Sequence, residues 1–437
     1  MMTSIQSPAM IPEAARAPFP FMKIPNLRWI IAGALLFASI LNYIDRSVFG
    51  LIAPVVQADL GISDLKYGEI ASLFMVAYCF AYLASGWIVD RLGVRVGLAL
   101  FVAWWSISNA LTGLAKSFGA LASFRFSLGL GEAGIWTAAP KAVSEWFPPA
   151  ERGVAVGLYS IGGGLGATIA PLIVSYLAPQ YGWRVVFFVT PPFALLWLVL
   201  WFVLYRSPEK HPWMTDKERA RLAIPVLATS APAKAQGWTA WRLVLSQSFI
   251  WQLMLARLLT DSVWYFLQIW MPKYLYTVHK MSLSQGWMLS LVFLAADLGF
   301  LGGGFAAGRL VKRGAGAPAA RLTMMAASAC VVPFAFFIPA FQGLGGVIVL
   351  AMFVACAATC WLGNITSLVV DLVPKPILGT SFGIIACGSA LGGFFMNQLV
   401  AWLVTNGFYS DCFYLMALVH PLALLLVWPL RTRPIAT

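Results

Sequence analysis

The sequence predicts an all-α integral membrane protein: twelve transmembrane helices in two pseudo-symmetric six-helix bundles. Three observations carry this. Hydrophobic residues make up 60% and charged residues 10% of 437, with a mean hydropathy of +0.82, too little charge to cover a water-facing surface. Twelve apolar runs each approach the roughly 20 residues needed to cross a bilayer as a helix. The two halves also repeat one another: GLYSIGGGLGATIAP at 157–171 aligns with GIIACGSALGGFFMN at 383–397, and GWIVDRLGVR at 86–95 with GFAAGRLVKR at 304–313. Parallel halves with a site at their interface near the midplane are a transporter architecture.

The expected spans 1 to 12 have cores at 28–50, 68–89, 96–115, 121–143, 153–177, 184–205, 247–271, 286–308, 321–340, 344–366, 378–403 and 412–430. Residues 1–27 hold a Pro- and Ala-rich polar lead with no long apolar stretch, so we expect no cleavable signal peptide. The widest polar interval follows span 6, with one short amphipathic helix expected at 215–224. The division is then an N-terminal segment 1–27, a bundle 28–205, a central loop 206–246, a second bundle 247–430 and a tail 431–437. The repeat places spans 5 and 11 in equivalent positions, where small residues let helices approach and slide.

Basic residues set the orientation. With both termini inside, only Lys66, Lys116, Arg184, Lys273 and Lys280 of the 29 Lys and Arg fall in external loops, and Arg46, Arg125 and Arg257 fall within spans. Both ends are therefore expected in the cytoplasm. The net charge of +13 needs no nucleic acid, since anionic lipid and the positive-inside bias account for it. The 19 Trp and 13 Tyr suffice for interfacial belts and a lined cavity. Six cysteines, at 79, 330, 356, 360, 387 and 412, show no metal-ligand or secreted-framework spacing and read as reduced, packed thiols. No metal or cofactor is expected, and no GxSxG, HExxH or paired catalytic aspartate motif points to an enzyme.

Ionisable residues within spans mark the function, because each costs a few kcal/mol or more unless it faces a bundle interior or a wet path. Asp45 and Arg46 sit together in span 1; Arg125 and Glu132 share a face of span 4. A buried carboxyl is driven towards protonation by desolvation and back by a neighbouring arginine, so Asp45 and Glu132 are the proton-coupling candidates. Arginine binds a carboxylate through two parallel hydrogen bonds, so Arg46 is the first substrate-binding candidate. Arg125 is expected to pair with Glu132, or else to bind substrate itself. A static buried ion network is the alternative for all four. Arg257 and Asp261, four residues apart in span 7, form a possible helix-internal ion pair. Trp264 and Gln268 in span 7, Asn364 and Ser367 in span 10 and Ser389 in span 11 are candidates to meet substrate hydroxyls, each also explicable as helix packing. His420 reads as a satisfied core or interfacial histidine.

At these residues the chain resembles the major facilitator superfamily over nearly its whole length. G-x-x-x-D-R-x-G-x-R at 86–95 matches that superfamily's loop signature, which implies a gate built from Gly86, Asp90, Arg91, Gly93 and Arg95; the alternative is a simple positive-inside turn. Asp90 would cap a neighbouring helix. The second copy has Gly308 in place of the acid, which implies a weakened latch in the second half. LNYIDR at 41–46, RFSLGLGEAG at 125–134, KAVSEWFPPAERG at 141–153 and DSVWYFLQIWMPKYL at 261–275 further resemble the anion:cation symporters, and within them bacterial hexuronate transporters.

The resemblance implies a monomeric, multi-pass protein of the bacterial inner membrane. It would import a small organic anion, a sugar acid such as a hexuronate or aldonate or another carboxylate, with protons, by alternating access. It also implies substrate contact for the hydroxyls of Tyr43 and Tyr78. Ile135 and Thr137, and the residues around Tyr159, replace amide or proline positions usual in hexuronate-like members. Those losses imply an anion with fewer hydroxyls, such as an aromatic or short aliphatic carboxylate. The alternatives are an anion exchanger built on Arg46 and Arg257 without proton coupling, and, from a different class, a membrane-embedded anion sensor.

Overall fold

The computed structural model describes residues 23–223, 238–373 and 378–433. It is helical throughout; the only strand-like feature among these residues is an isolated bridge between Ile24 and Met214. Helices occupy all twelve expected positions. Span 1 is Leu27–Leu51; spans 2 and 3 form Asp64–Gly113; span 4 is Phe118–Glu132 continued by Ile135–Trp146; span 5 is Pro149–Tyr181; span 6 is Trp183–Val186 with Thr190–Leu204. Span 7 is Ser248–Ile269 followed by Met271–Thr277; span 8 is Met288–Lys312; span 9 is Ala317–Val331 with the 3-10 turn Val332–Ala340; spans 10, 11 and 12 are Leu344–Leu372, Leu378–Thr405 and Tyr409–Val427. Asp216–Ala223 is the short helix expected in the central interval.

Among the described residues nine helices are individually long and apolar enough to cross a membrane. The helices at spans 2, 4 and 7 are not among them. Span 4 is broken into two short pieces, and spans 4 and 7 each carry two charges, Arg125 with Glu132 and Arg257 with Asp261, which lower their hydropathy.

The junction between spans 2 and 3 turns on Gly93, whose φ of 74° and ψ of 163° lie outside helical space. That region favours glycine. Around it, Lys141 Nζ donates to the Val89 carbonyl at 3.2 Å, Arg95 Nη2 donates to the Phe202 carbonyl at 2.5 Å, and Trp201 Nε1 donates to the Arg95 carbonyl at 3.0 Å. The Arg91 guanidinium stacks 4.2 Å from the Trp87 ring. The junction is thus clamped to spans 4 and 6 of its own half. Gly86 lies on span 2 with open space where a Cβ would be; the side chain of Asp90, and with it the expected cap, lies outside the described residues.

The repeat is visible in packing. A Cβ on Gly162 would stand 2.6 Å from the Leu36 carbonyl oxygen, and one on Gly388 would stand 2.5 Å from that of Met254. Gly166 and Gly392 face the carbonyls of Ile40 and Leu258 in the same way. Span 5 therefore lies on span 1 as span 11 lies on span 7. Leu36 maps to Met254 and Ile40 to Leu258 with one common offset of 218 residues, the offset of the two loop motifs.

The halves meet along two seams related by the same symmetry. Ser72 Oγ of span 2 donates to the Phe394 carbonyl of span 11 at 3.4 Å; Ser290 Oγ of span 8 donates to the Thr168 carbonyl of span 5 at 2.7 Å. Tyr67 donates to the Ile269 carbonyl at 3.2 Å, and Lys273 joins the second half to Asp64 and to Gln57 Oε1, the latter at 2.7 Å. All of these lie towards the end of the bundle remote from the chain termini. On the terminal side, Arg28 binds Glu151 and Glu218 within the first half, and Arg321 binds Asp371 within the second. Among the described residues no hydrogen bond or ion pair joins the halves there. Among the described residues, the polar ties between the halves therefore lie on the far side.

Close backbone approach makes Gly388 intolerant of a side chain. Gly388→Ala is expected to destabilise the protein by about 1–3 kcal/mol through overpacking, read as a lower melting temperature in detergent. Gly383→Ala, where a Cβ would meet nothing within 4 Å, is expected to leave it unchanged.

Candidate functional site

Span 1 presents two charges to different neighbours because adjacent helical residues point about 100° apart. Arg46 faces spans 2 and 4: its Nε donates to Glu132 Oε2 at 2.9 Å, and its Nη2 donates to the Tyr78 hydroxyl at 2.7 Å. The guanidinium lies 4.8 Å from the Tyr43 ring centre and 4.7 Å from that of Tyr78. Asp45 faces spans 3 and 6. Its Oδ1 accepts from Asn109 Nδ2 at 2.7 Å and from the Thr190 hydroxyl, while the buried Oδ2 has no partner among the described residues.

The expected Arg125–Glu132 pair is not formed. Two helical turns separate those residues along span 4, and Arg46 arrives between spans 2 and 4 at the level of Glu132, so it takes the carboxylate. Arg125, 3% exposed, keeps only a 3.5 Å contact from Nη1 to the main-chain oxygen of Asp45 and the faces of Phe49 and Phe74, whose centres lie 4.6 and 5.1 Å away. Its Nε has no partner among the described residues. Arg125 is therefore the guanidinium with donors to spare.

Arg46, Arg125, Phe49, Ala71, Phe74, Met75, Gln268 and Ile269 line a narrow pocket. Gln268 enters from the second half with its buried Nε2 unpartnered among the described residues. The walls are otherwise apolar. Cation–π contact with tyrosine and phenylalanine faces stabilises both guanidinium groups without consuming their hydrogen-bond donors.

The remaining candidates separate. Arg257 and Asp261 form the expected pair, with Nη2 to Oδ2 at 2.7 Å. Ser389 meets the Tyr265 hydroxyl at 3.2 Å. Trp264 stacks edge-on to Phe293. Ser367 donates to the Gly363 carbonyl of its own helix, and Asn364 donates to the Cys360 carbonyl and packs against Gly303 at the contact between spans 8 and 10; neither lines the pocket. His420 is in the core, but it is not satisfied: it packs edge-on to Trp361 and both ring nitrogens lack a partner among the described residues.

Sequence reasoning missed three polar groups. Asn109 and Thr190 look like ordinary small polar residues in spans 3 and 6, and only the fold aims them at Asp45. Asp297 lies in span 8 and hydrogen-bonds Thr168 of span 5; an acid inside an apolar run was signal enough to find it.

The sequence profile described as the Major Facilitator Superfamily matches residues 35–397. The galacturonate transporter of Dickeya chrysanthemi is 31% identical over 284 residues, 65% of this chain and 82% of that protein. The hexuronate transporter of Escherichia coli strain K12 is 30% identical over 284 residues, 65% of this chain and 66% of that protein. Among solved structures, the xylose transporter XylE from E. coli in an inward-open conformation superposes with a TM-score of 0.71 at 15% identity, covering 94% of this chain and 97% of that one.

A buried pair broken by loss of one partner costs about 3–5 kcal/mol, because the other charge is left uncompensated. Glu132→Gln is expected to lower thermal stability in detergent by that order, and the double variant Arg46→Gln/Glu132→Gln to recover most of it. Equal loss in the single and double variants would show that the two side chains are not coupled.

Proposed function

The chain belongs to the Major Facilitator Superfamily, a family of membrane transporters, and on that premise we propose that it is a proton-coupled symporter importing a small organic anion by alternating access. The observation that carries this reading is Arg46 held by Glu132 at the wall of a cavity where Arg125 has donors to spare. With Asp45 and Glu132 ionised, the two arginines are balanced. A proton on either carboxyl leaves the cluster one positive charge in excess, which a monoanion restores. Protonated Glu132 releases Arg46 Nε, and the substrate carboxylate takes its place in two-pronged geometry, shared with Arg125. Asp45 Oδ2, buried and unpartnered, offers a second position for the proton. Proton and anion thus favour one another's binding, and desolvation penalises either alone.

The relatives' names support a sugar acid, such as a hexuronate or aldonate, or another carboxylate. The cavity walls favour the less hydroxylated end of that range: beyond the arginines and Gln268 they are Phe49, Phe74, Ala71, Met75 and Ile269. An unmatched sugar hydroxyl against such a surface loses its water without a replacement. The Tyr78 hydroxyl, held by Arg46, and Tyr43, whose ring faces the same guanidinium, stand beside this site.

The exchanger reading is weaker. The repeat pairs Arg46 with Trp264 and Arg257 with Ser39, so the two arginines do not occupy equivalent positions, and Asp261 already neutralises Arg257. We assign the terminal side to the cytoplasm from the distribution of basic residues. The protein is then a multi-pass monomer of the bacterial inner membrane, with gating at the Gly93 junction and protons and the anion as its partners.

Reconstituted liposomes should acidify internally when galacturonate, glucuronate, an aldonate or an aromatic acid is added outside, for whichever anion is carried. Asp45→Asn and Glu132→Gln should abolish that acidification. Anion uptake without proton movement, stimulated by anion loaded inside, would replace this reading with exchange on Arg46 and Arg257. Strong competition by galacturonate with none from aromatic acids would overturn the less hydroxylated substrate.

A further inference from the structure

The two seams between the halves follow one plan and differ at one place. Ser72 and Ser290 make equivalent hydrogen bonds to the carbonyls of Phe394 and Thr168. Seven residues beyond each serine, about 10 Å towards the membrane middle, the repeat pairs Cys79 with Asp297. At the seam of spans 2 and 11, Cys79 faces Cys387, thiol to thiol, with sulfurs 3.7 Å apart. At the seam of spans 5 and 8, an acid stands in the equivalent position. Thr168, whose equivalent is Phe394, donates its hydroxyl to Asp297 Oδ2 at 3.2 Å. The other carboxyl oxygen lies against the bare backbone of Gly164, where a Cβ would overlap it.

Asp297 joins no ion pair among the described residues. Among the described residues the charged pairs involving the second half are Arg257 with Asp261, Arg321 with Asp371 and Lys273 with Asp64 of the first half, all elsewhere. Span 5 turns Gly164 and Thr168 to it; span 10 packs Cys356 and Cys360 on another face of span 8, against Gly299 and Gly303; span 7 places Trp264 against Phe293. On span 8 itself, Arg309 and Lys312 lie three turns or more away at the terminal end.

We propose that Asp297 is a proton-binding gate residue: its carboxyl takes a proton from far-side water when the seam of spans 5 and 8 closes on Gly164, and returns it to that side when the seam opens. Asp297 is half-buried, and a carboxylate pressed against a glycine Cα at membrane depth, with one hydroxyl donor and no cation among the described residues, is costly to draw further out of water. The neutral acid is not. Closing therefore takes up a proton and opening releases it, so acid on the far side favours the closed seam. The inference rests on the alternating-access reading above but not on proton coupling by Asp45 and Glu132, because this proton does not cross.

The test is a distance measurement across the far-side ends of spans 5 and 8. Spin labels are placed at Gln180→Cys and Ser284→Cys in a background with the six native cysteines replaced, in lipid nanodiscs over a range of pH. The ratio of closed to open populations should fall as pH rises, by up to about tenfold per pH unit for one linked proton. Asp297→Asn should hold the seam closed at every pH, and Gly164→Ala should open it even in acid. Should the asparagine variant fail to insert, Asp297→Ser should show the same loss of pH dependence.

A slope retained in Asp297→Asn would overturn the proposal and move the titration to Lys273 and Asp64. Sodium substituting for acid would overturn it in favour of a cation site, and distances that never change would remove alternating access and the proposal together. Liposomes whose internal pH is indifferent to Asp45→Asn and Glu132→Gln would defeat the proposed coupling mechanism while leaving the spin-label slope intact.

Discussion

A guanidinium inside the hydrocarbon layer needs a compensating charge, and Arg46 finds it in Glu132 on a helix 86 residues further along the chain. Much of the first half is arranged around that requirement. Span 4 must bring Glu132 to span 1, span 2 must bring the Tyr78 hydroxyl to the same guanidinium, and aromatic faces must line the gaps the ions leave. The arrangement satisfies Arg46 and leaves Arg125 short of partners. A site that is electrically balanced but incompletely hydrogen-bonded is poised to exchange one anionic partner for another, which a fully satisfied ion network is not.

The second constraint is mechanical. Helices whose association gains nothing from hydrophobic exclusion hold together by close packing and a few hydrogen bonds. Spans 5 and 11 achieve this within each half by laying glycines on the carbonyls of spans 1 and 7, giving two rigid bodies of like construction. Between the bodies the packing is also close, with Gly50 on the Gln268 carbonyl and Gly68 on that of Asn397, and the polar ties include serine-to-carbonyl bonds, a lysine shared by Asp64 and Gln57, and an acid against a glycine. The seams between the halves are thus partly polar and partly ionisable. The halves depart from symmetry at their ionisable groups, since Arg46 answers Trp264 and Asp297 answers Cys79 across the repeat.

The twelve-helix architecture, the two-fold repeat, the Gly93 junction, and the Arg257–Asp261 pair were legible in the chain, because hydropathy, glycine spacing and i,i+4 geometry are local properties. Span 4 was legible as a span but not as two pieces. The pairing of Glu132 was not legible. Sequence spacing made Arg125 its natural partner on one helix face; contact between helices gave it to Arg46. Asn364 and Ser367 lie in the right span for a pocket, yet their side chains are turned to their own helix and to span 8.

By itself, then, the sequence determined which segments enter the membrane, how the halves correspond and which ionisable groups are carried inside, since each depends on composition and period along a single helix. The tertiary structure alone decided which charge neutralises which, that Asn109 and Thr190 hold Asp45, that Gln268 reaches the cavity from the opposite half, and that Asp297 closes on Gly164. Those outcomes depend on the rotation and depth of one helix against another. A shift of one residue turns a side chain by about 100°, and only packing across the bundle fixes that angle.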